Sequence, residues 1–257
     1  MPQKLAVFSD LDGCLLDKAT YSFAPALPTI ERLKQLGIPL ILASSKTEAE
    51  MIPLASAMEL DEAPLICENG GCVRWSNQGG QAERIVLGEP RVRILDVLKG
   101  LKNEFKFRSF VDLGVGGVAE CTQLPVEKAE LAVQRESTEP LLWDDEQSRL
   151  SGFQAAIEAA GLSLTRGGRF WHIAGATTKG KGMQAVLDRS YPATDSVAIG
   201  DSPIDQSLLD IAEHPIGIPQ PDGQVLVTVH SGGRIASQPG PAGWAAEVGA
   251  VLDALKL

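Results

Sequence analysis

Long apolar runs, aromatic residues, patterned cysteines and positive charge are what this chain has least of. No apolar stretch approaches the ~18 residues that a membrane-spanning helix needs. The start carries no basic-then-apolar leader, so neither a membrane span nor a signal peptide is expected. Phe, Trp and Tyr make up 5% of the 257 residues, which disfavours a platform for stacking bases. Lys and Arg number 23 against 33 Asp and Glu, a net charge of −10. That surface repels phosphate backbones, so nucleic acid is not an expected partner. Any anion site must then be made locally, by individual lysines, arginines and amides. Cys14, Cys67, Cys72 and Cys121 form no C-x-x-C pair, and His172, His214 and His230 are scattered. A zinc site is therefore not expected, and few unpatterned cysteines fit a reducing cytoplasm.

What is present is an alternation of apolar strands and amphipathic helices. Leu5–Phe8 reads as a strand, Pro28–Leu36 as a helix stopped at Gly37, and Ile38–Ala43 as a strand buried on both faces. Thr47–Met58 follows as a helix and Pro64–Cys67 as a short strand. Repeated strand–helix units predict a parallel sheet with right-handed crossovers, the α/β class. The middle changes character. After a turn at Asn77-Gln78-Gly79-Gly80 come helices over Pro90–Leu101, Pro125–Arg135 and Asp144–Ala160, and strands over Lys106–Phe110 and Pro140–Trp143. Leu162–Arg166 and Arg169–Ala174 flank Gly167-Gly168 as a hairpin. The first pattern then returns: Lys181–Leu187, Ser207–Ala212 and Ala245–Leu255 read as helices, Ser196–Ile199 and Pro215–Ile218 as strands. The expected organisation is a sheet domain, residues 1–81 and 173–257, interrupted by an α+β module at 82–172. At 257 residues the chain is long enough for one large or two moderate cores.

The chemistry gathers at element ends. In Phe8-Ser9-Asp10-Leu11-Asp12-Gly13 two carboxylates follow a strand. Alternate residues of an extended segment point the same way, so both face one spot at the strand's C-terminal end, where open α/β sheets bind ligands. Converging carboxylates repel unless a cation or shared proton lies between them. A second such cluster, Gly200-Asp201-Ser202-Pro203-Ile204-Asp205, also follows an apolar strand. Two acid-bearing strand ends in one sheet suit Mg²⁺, a hard ion that takes oxygen ligands. Ser44-Ser45-Lys46 ends the strand at Ala43; on its own it reads more readily as a helix cap, which Ser commonly makes, than as an anion cradle. Lys179 opens a helix after a Gly/Thr-rich turn, as a phosphate partner or a solvated basic turn.

In order and context these pieces resemble the haloacid dehalogenase superfamily of phosphotransferases. The matching residues are Asp10-Leu11-Asp12-Gly13, Ser44, Lys179 and Gly200 to Asp205. The resemblance implies a Rossmann-like parallel-sheet core with an inserted cap of the C2 type between Ser44 and Lys179. More narrowly, the chain resembles mannosyl-3-phosphoglycerate phosphatases in Ser44-Ser45-Lys46-Thr47, Glu68-Asn69-Gly70-Gly71, Gln134-Arg135-Glu136, Gly167 to His172, and Gly240-Pro241-Ala242-Gly243-Trp244. One departure is Cys14, where the family has Thr; the sizes are close and folding should tolerate it. The resemblance implies Asp10 as nucleophile, Asp12 as acid and base, and Ser44 and Lys179 as phosphate partners. It implies a Mg²⁺ site at Asp10, Asp12 and Asp201, with Asp205 in its outer shell or holding Lys179. Ser45, Lys46, Asn69, Gly70, Arg135, Arg169 and His172 are the candidate substrate contacts. Arg169 is the first choice for a substrate carboxylate, and Arg135, Arg169 and His172 read equally as surface, hinge or core residues.

The expected activity is Mg²⁺-dependent hydrolysis of mannosyl- or glucosyl-3-phosphoglycerate to the glycosylglycerate, a compatible solute, through an aspartyl-phosphate. A broader sugar-phosphate phosphatase of the sucrose-phosphate type and a phosphomutase are the alternatives. A catalytically dead binding module is disfavoured because all six core acidic, serine and lysine positions are present. The partner is a small phosphorylated molecule, and the chain reads as a monomer or dimer.

Overall fold

The computed structural model describes residues 5–76, 82–167 and 169–257. The expected turn at 77–80 and Gly168 lie outside them. The chain begins with strand β1 (Leu5–Ser9), helix α1 (Leu27–Gln35), β2 (Leu40–Ala43), α2 (Glu48–Ala57) and β3 (Leu65–Cys67). Next come β4 (Cys72–Ser76), β5 (Ala82–Val86), α3 (Arg91–Leu101), β6 (Phe107–Ser109), α4 (Phe110–Thr122), α5 (Val126–Ala132) and β7 (Thr138–Trp143). Helix α6 (Leu150–Ala159), β8 (Ser163–Arg166), β9 (Trp171–Ala174), α7 (Lys179–Ser190) and β10 (Asp195–Gly200) follow. Helix α8 (Gln206–Leu209), β11 (His214–Gly217), β12 (Arg234–Ile235) and α9 (Gly240–Ala254) complete the chain.

Eight strands form one sheet in the order β12-β11-β10-β1-β2-β3-β4-β5. From β12 to β3 every neighbouring pair is parallel; the edge formed by β4 and β5 is antiparallel. This is the expected α/β core with a mixed edge added. Alternation along β1 splits the core between two faces. Leu5 and Val7 pack with Ile30, Leu42, Ile199 and Trp244 on one side. Ala6 and Phe8 pack with Ile41, Ile66, Met183 and Leu208 on the other. A strand covered by helices on both faces is apolar throughout, which is why β1 and β2 are buried at every position.

A second, antiparallel sheet runs in the order β6-β7-β9-β8. Its own core joins Ile94, Leu98, Phe107, Leu141, Phe153, Ile157 and Ile173. A further cluster seats α4 on α5 through Phe110, Val118, Ala129 and Ala132. β5 pairs on the large sheet, whereas β9, which straddles residue 172, lies wholly in the small one.

Several expectations shift. The helix expected from Asp144 starts at Leu150, because Asp144 pairs with Arg108 and Asp145 accepts the Lys106 amide across the strand end. Helix α4 was not anticipated, and it breaks at Gly114, whose φ is +59°. Three glycines between Gly114 and Gly117 hide it from propensity reasoning. The last helix starts at Gly240, not Ala245, with Pro241 in its first turn, where a missing N–H costs nothing.

Candidate active site

β1 lies between β10 and β2, so their C-terminal ends stand side by side. β1 runs into Asp10, β10 into Asp201 and β2 into Ser44, and this adjacency assembles the site. The Asp10 amide donates to the Ile199 carbonyl at 3.0 Å, and the Ser44 amide to Ile66 at 2.9 Å. Ser9, behind Asp10, donates to the Asp10 carbonyl and accepts the indole N–H of Trp244 at 2.9 Å. Trp244 is fully buried, so the last helix braces the floor of the site.

Helix α7 is capped by Thr178, whose side chain accepts the Lys181 amide. Lys179 therefore leaves from the first turn. Its Nζ donates to Asp10 Oδ1 and to Asp205 Oδ1, each at 2.6 Å, and all three side chains are buried. Burial works against the charged form of Lys179; the two carboxylates more than offset it and hold the ammonium charged. Burial pushes the Asp10 carboxyl up to about 8, Lys179 opposes this, and Asp205, Asp12 and Asp201 add to it. The four carboxylates face three ammoniums, Lys179, Lys46 on Asp12 and Lys18 on Asp201, which leaves a surplus of negative charge. A buried divalent cation suits such a place.

The donor set fits one. Ligand atoms of Asp10, Cys14 and Asp201 lie within 4.8 Å of one another. Asp205 is not in that group. Its Oδ2 accepts from the amides of Asp201 and Ser202 and from the Ser202 hydroxyl, and its Oδ1 from Lys179. Asp205 thus orients the Asp201 loop and Lys179. Asp12 takes another partner, Lys46, whose Nζ donates to Asp12 Oδ2 at 2.6 Å. Burial would lower the Lys46 affinity for its proton, but Asp12 more than restores it. Cys14 is buried, and that burial pushes its thiol up, so it is no thiolate at neutral pH.

The other candidates divide into three groups. Asn69, Arg135 and His172 gather where the two sheets meet. Asn69 has φ +57° and donates its amide to the Ser44 carbonyl. Arg135 donates to the Ser45 carbonyl at 3.2 Å and to Thr138 Oγ1 at 2.8 Å. His172 feels Arg135, and burial followed by that charge lowers its pKa to about 3. Asn69 Oδ1, Arg135 Nε, Ser137 Oγ and His172 Nδ1 are all shielded from solvent without a hydrogen-bond partner among the described residues. Gly70 packs instead of opening a cavity: with φ +88°, any Cβ would stand 2.1 Å from the Thr178 carbonyl oxygen. Arg169 stands apart. It donates to the Cys121 carbonyl and lines a cleft with Leu142, Trp143, Gln147, Arg166 and Trp171.

Sequence reasoning missed Glu68, Lys18 and Gln220. Glu68 is 1% exposed and accepts from the Glu136 and Ser137 amides and from Thr138 Oγ1, tying the strand end of the large sheet to the small one. Lys18 and Gln220 both bind Asp201 Oδ2. Glu68 alone gave a signal, lying beside Asn69 in a motif already singled out.

Residues 7–109 match the family model of haloacid dehalogenase-like hydrolases. A protein of Thermoplasma acidophilum superposes with a TM-score of 0.69 at 15% identity, covering 100% of this chain and 99% of its own. A Bacteroides thetaiotaomicron protein described among phosphatases of the haloalkanoate superfamily gives 0.69 at 17%, with 99% and 96% covered. A sugar phosphatase of HAD subclass IIB gives 0.69 at 14%, with 98% of each chain covered. At these identities the likeness is one of fold.

Proposed function

We propose that this chain is a haloacid dehalogenase-like phosphatase whose substrate is a glycosyl-3-phosphoglycerate, mannosyl or glucosyl. The observation that carries the phosphatase reading is Lys179, bonded at once to Asp10 and Asp205 beside Asp12 and Asp201. The buried ammonium leaves Asp10 in place as a nucleophile and stands ready to take phosphoryl oxygens. Asp10 and Asp201 would hold Mg²⁺ with the Asp12 backbone carbonyl. Bound there, the ion would supply the countercharge that keeps Asp10 ionised and would neutralise phosphoryl oxygens.

Each residue has one task. An Asp10 carboxylate oxygen forms a bond to phosphorus as the ester P–O bond breaks. Asp12 gives its proton to the departing alkoxide. It then takes a proton from a water that attacks the aspartyl-phosphate, releasing phosphate and restoring Asp10. Ser44 and Lys179 hold the phosphoryl oxygens. Asp205 keeps Lys179 and the Asp201 loop in place.

The small sheet with its helices serves as the cap that selects the substrate. Four unpartnered polar atoms at the junction call for a polar guest, as a buried donor or acceptor without a partner costs about 1–3 kcal/mol. Arg135 would take the glycerate carboxylate, and Asn69 and His172 the sugar hydroxyls. Arg135 replaces Arg169 as first choice, because Arg169 is bonded at the end of α4.

Phosphate release with Mg²⁺ from mannosyl-3-phosphoglycerate, glucosyl-3-phosphoglycerate, sucrose-6-phosphate and p-nitrophenyl phosphate tests this. A glycosyl-phosphoglycerate should lead in kcat/KM by at least ~100-fold, about 2.7 kcal/mol of discrimination. Even, weak turnover of all four would remove the substrate and keep the phosphatase. Release that needs a bisphosphate activator would favour a phosphomutase.

A further inference from the structure

We propose that Lys18 is a tethered cation that competes with the divalent metal for Asp201 and so sets the metal affinity of the site. This rests on the reading of Asp10 and Asp201 as metal ligands given above.

The ammonium is aimed with care. Lys18 Nζ stands 2.7 Å from Asp201 Oδ2 and 2.5 Å from Gln220 Oε1. Gln220 closes the triangle, its Nε2 donating to Asp201 Oδ2 at 3.0 Å and to the Asp201 carbonyl at 2.8 Å. The loop that carries Lys18 is pinned. Asp17 Oδ1 accepts from the Ala19 and Thr20 amides and the Thr20 hydroxyl. Asp17 and Ser22 also pair through the backbone, and the Tyr21 amide donates to the Asp17 carbonyl.

The route from loop to carboxylate passes over Gly13. A Cβ there would fall 2.3 Å from Lys18 Cε and 2.5 Å from Asp201 Oδ2. Gly13 also has φ +90°, which only glycine adopts easily. The turn glycine therefore does a second thing: it leaves a channel for the lysine stem.

The Asp201 side chain is 4% exposed and that of Lys18 is 42%, so the ammonium enters from the solvent side and leaves by the same route. A divalent ion held by Asp10 and Asp201 would stand a few ångströms from that ammonium. Like charges so close repel, and they would share one carboxylate. Metal binding then requires Lys18 to withdraw, and Lys18 holds Asp201 in its ligating position until it does.

Isothermal titration with Mg²⁺, and separately with Mn²⁺, is run on the full chain stripped with chelator. The proteins are the parent, Lys18→Met, Lys18→Arg and Lys34→Met. Lys34 pairs with Glu31 and Glu59 on the surface of α1 and reports the effect of losing any one positive charge. Lys18→Met should bind both ions roughly tenfold more tightly than the parent. Lys18→Arg should stay within about threefold of it, and Lys34→Met should match it. If the parent binds metal and Lys18→Met binds no more tightly, the competition is overturned while the metal site stands. If Lys34→Met tightens binding as much, the effect is one of net charge and the proposal fails. If no protein binds either ion, the metal reading of the site falls and the competition with it.

Discussion

The acid cluster at the ends of β1 and β10 and the junction between the two sheets lie close together and are built on opposite principles. In the cluster nearly every polar atom has a partner inside the protein: Lys179 bridges Asp10 and Asp205, and Asp205 closes on the Asp201 loop. At the junction Asn69 Oδ1, Arg135 Nε, Ser137 Oγ and His172 Nδ1 have none among the described residues. The first arrangement preorganises charge for one kind of chemistry. The second leaves hydrogen-bonding capacity unused, which on the proposed function would serve selectivity between guests. On the proposed function, one fold would keep a general chemical engine apart from a specific reader.

The sharpest way to break this contrast is Asp10→Asn. Asp10 is destabilised in its charged form by burial, so the amide should leave the unfolding temperature level or higher. The loss should appear in kcat, at least ~10³-fold. A variant that keeps more than a few per cent of activity removes Asp10 as nucleophile and, with it, the division of labour. Glu68→Ala comes next, and attacks the seam between the regions. It would leave the Glu136 and Ser137 amides and Thr138 Oγ1 without their acceptor, and Arg135 without its nearest carboxylate, 4.0 Å away. A stability loss of about 3 kcal/mol in urea unfolding is expected; a loss below about 1 kcal/mol would mean that the seam is not held there.

His172 comes last because its effect vanishes at neutral pH and appears only on acidification. Its folded-state pKa of about 3 lies below the ordinary 6.5. Between those values the unfolded chain binds a proton that the folded chain refuses. Stability should therefore be full above pH 6.5 and fall as pH drops toward 3, by at most about 1.4 kcal/mol per unit from this residue. His172→Gln should flatten that part of the curve. An unchanged curve would mean that the ring is protonated in the fold, against Arg135.

Much of the core was legible because buried parallel strands announce themselves. Leu5–Phe8 and Ile38–Ala43 are continuous apolar runs, and each ends in residues that carry chemistry. The Thr47–Glu50 spacing also marks a helix start, and both halves of that capping box are formed. The edge hairpin was not legible. β5 is exposed at all five positions, so no pattern of burial marks it. Helix α4 was lost to its glycines, and Asp144 and Asp145 looked helical while serving as strand-end partners. In the site, the Asp, Ser and Lys positions were visible as motifs, and the resemblance implied Asp205 in an outer shell or holding Lys179, of which the bond to Lys179 is formed. That Asp12 binds Lys46, that Asp205 also closes on the Asp201 loop, and that Lys18 reaches Asp201 over Gly13 are facts of three dimensions.

By itself the order of residues determined the α/β class, the strand ends that carry carboxylates, and the kinds of side chain available to the site, because periodicity and turn chemistry act over a few neighbours. Tertiary structure alone decided which partner each charge takes. Lys179 meets Asp10 across 169 residues, and Lys18 meets Gln220 across 202. Contacts of that span depend on strand order and on the packing of helices over the sheet, which no local pattern encodes.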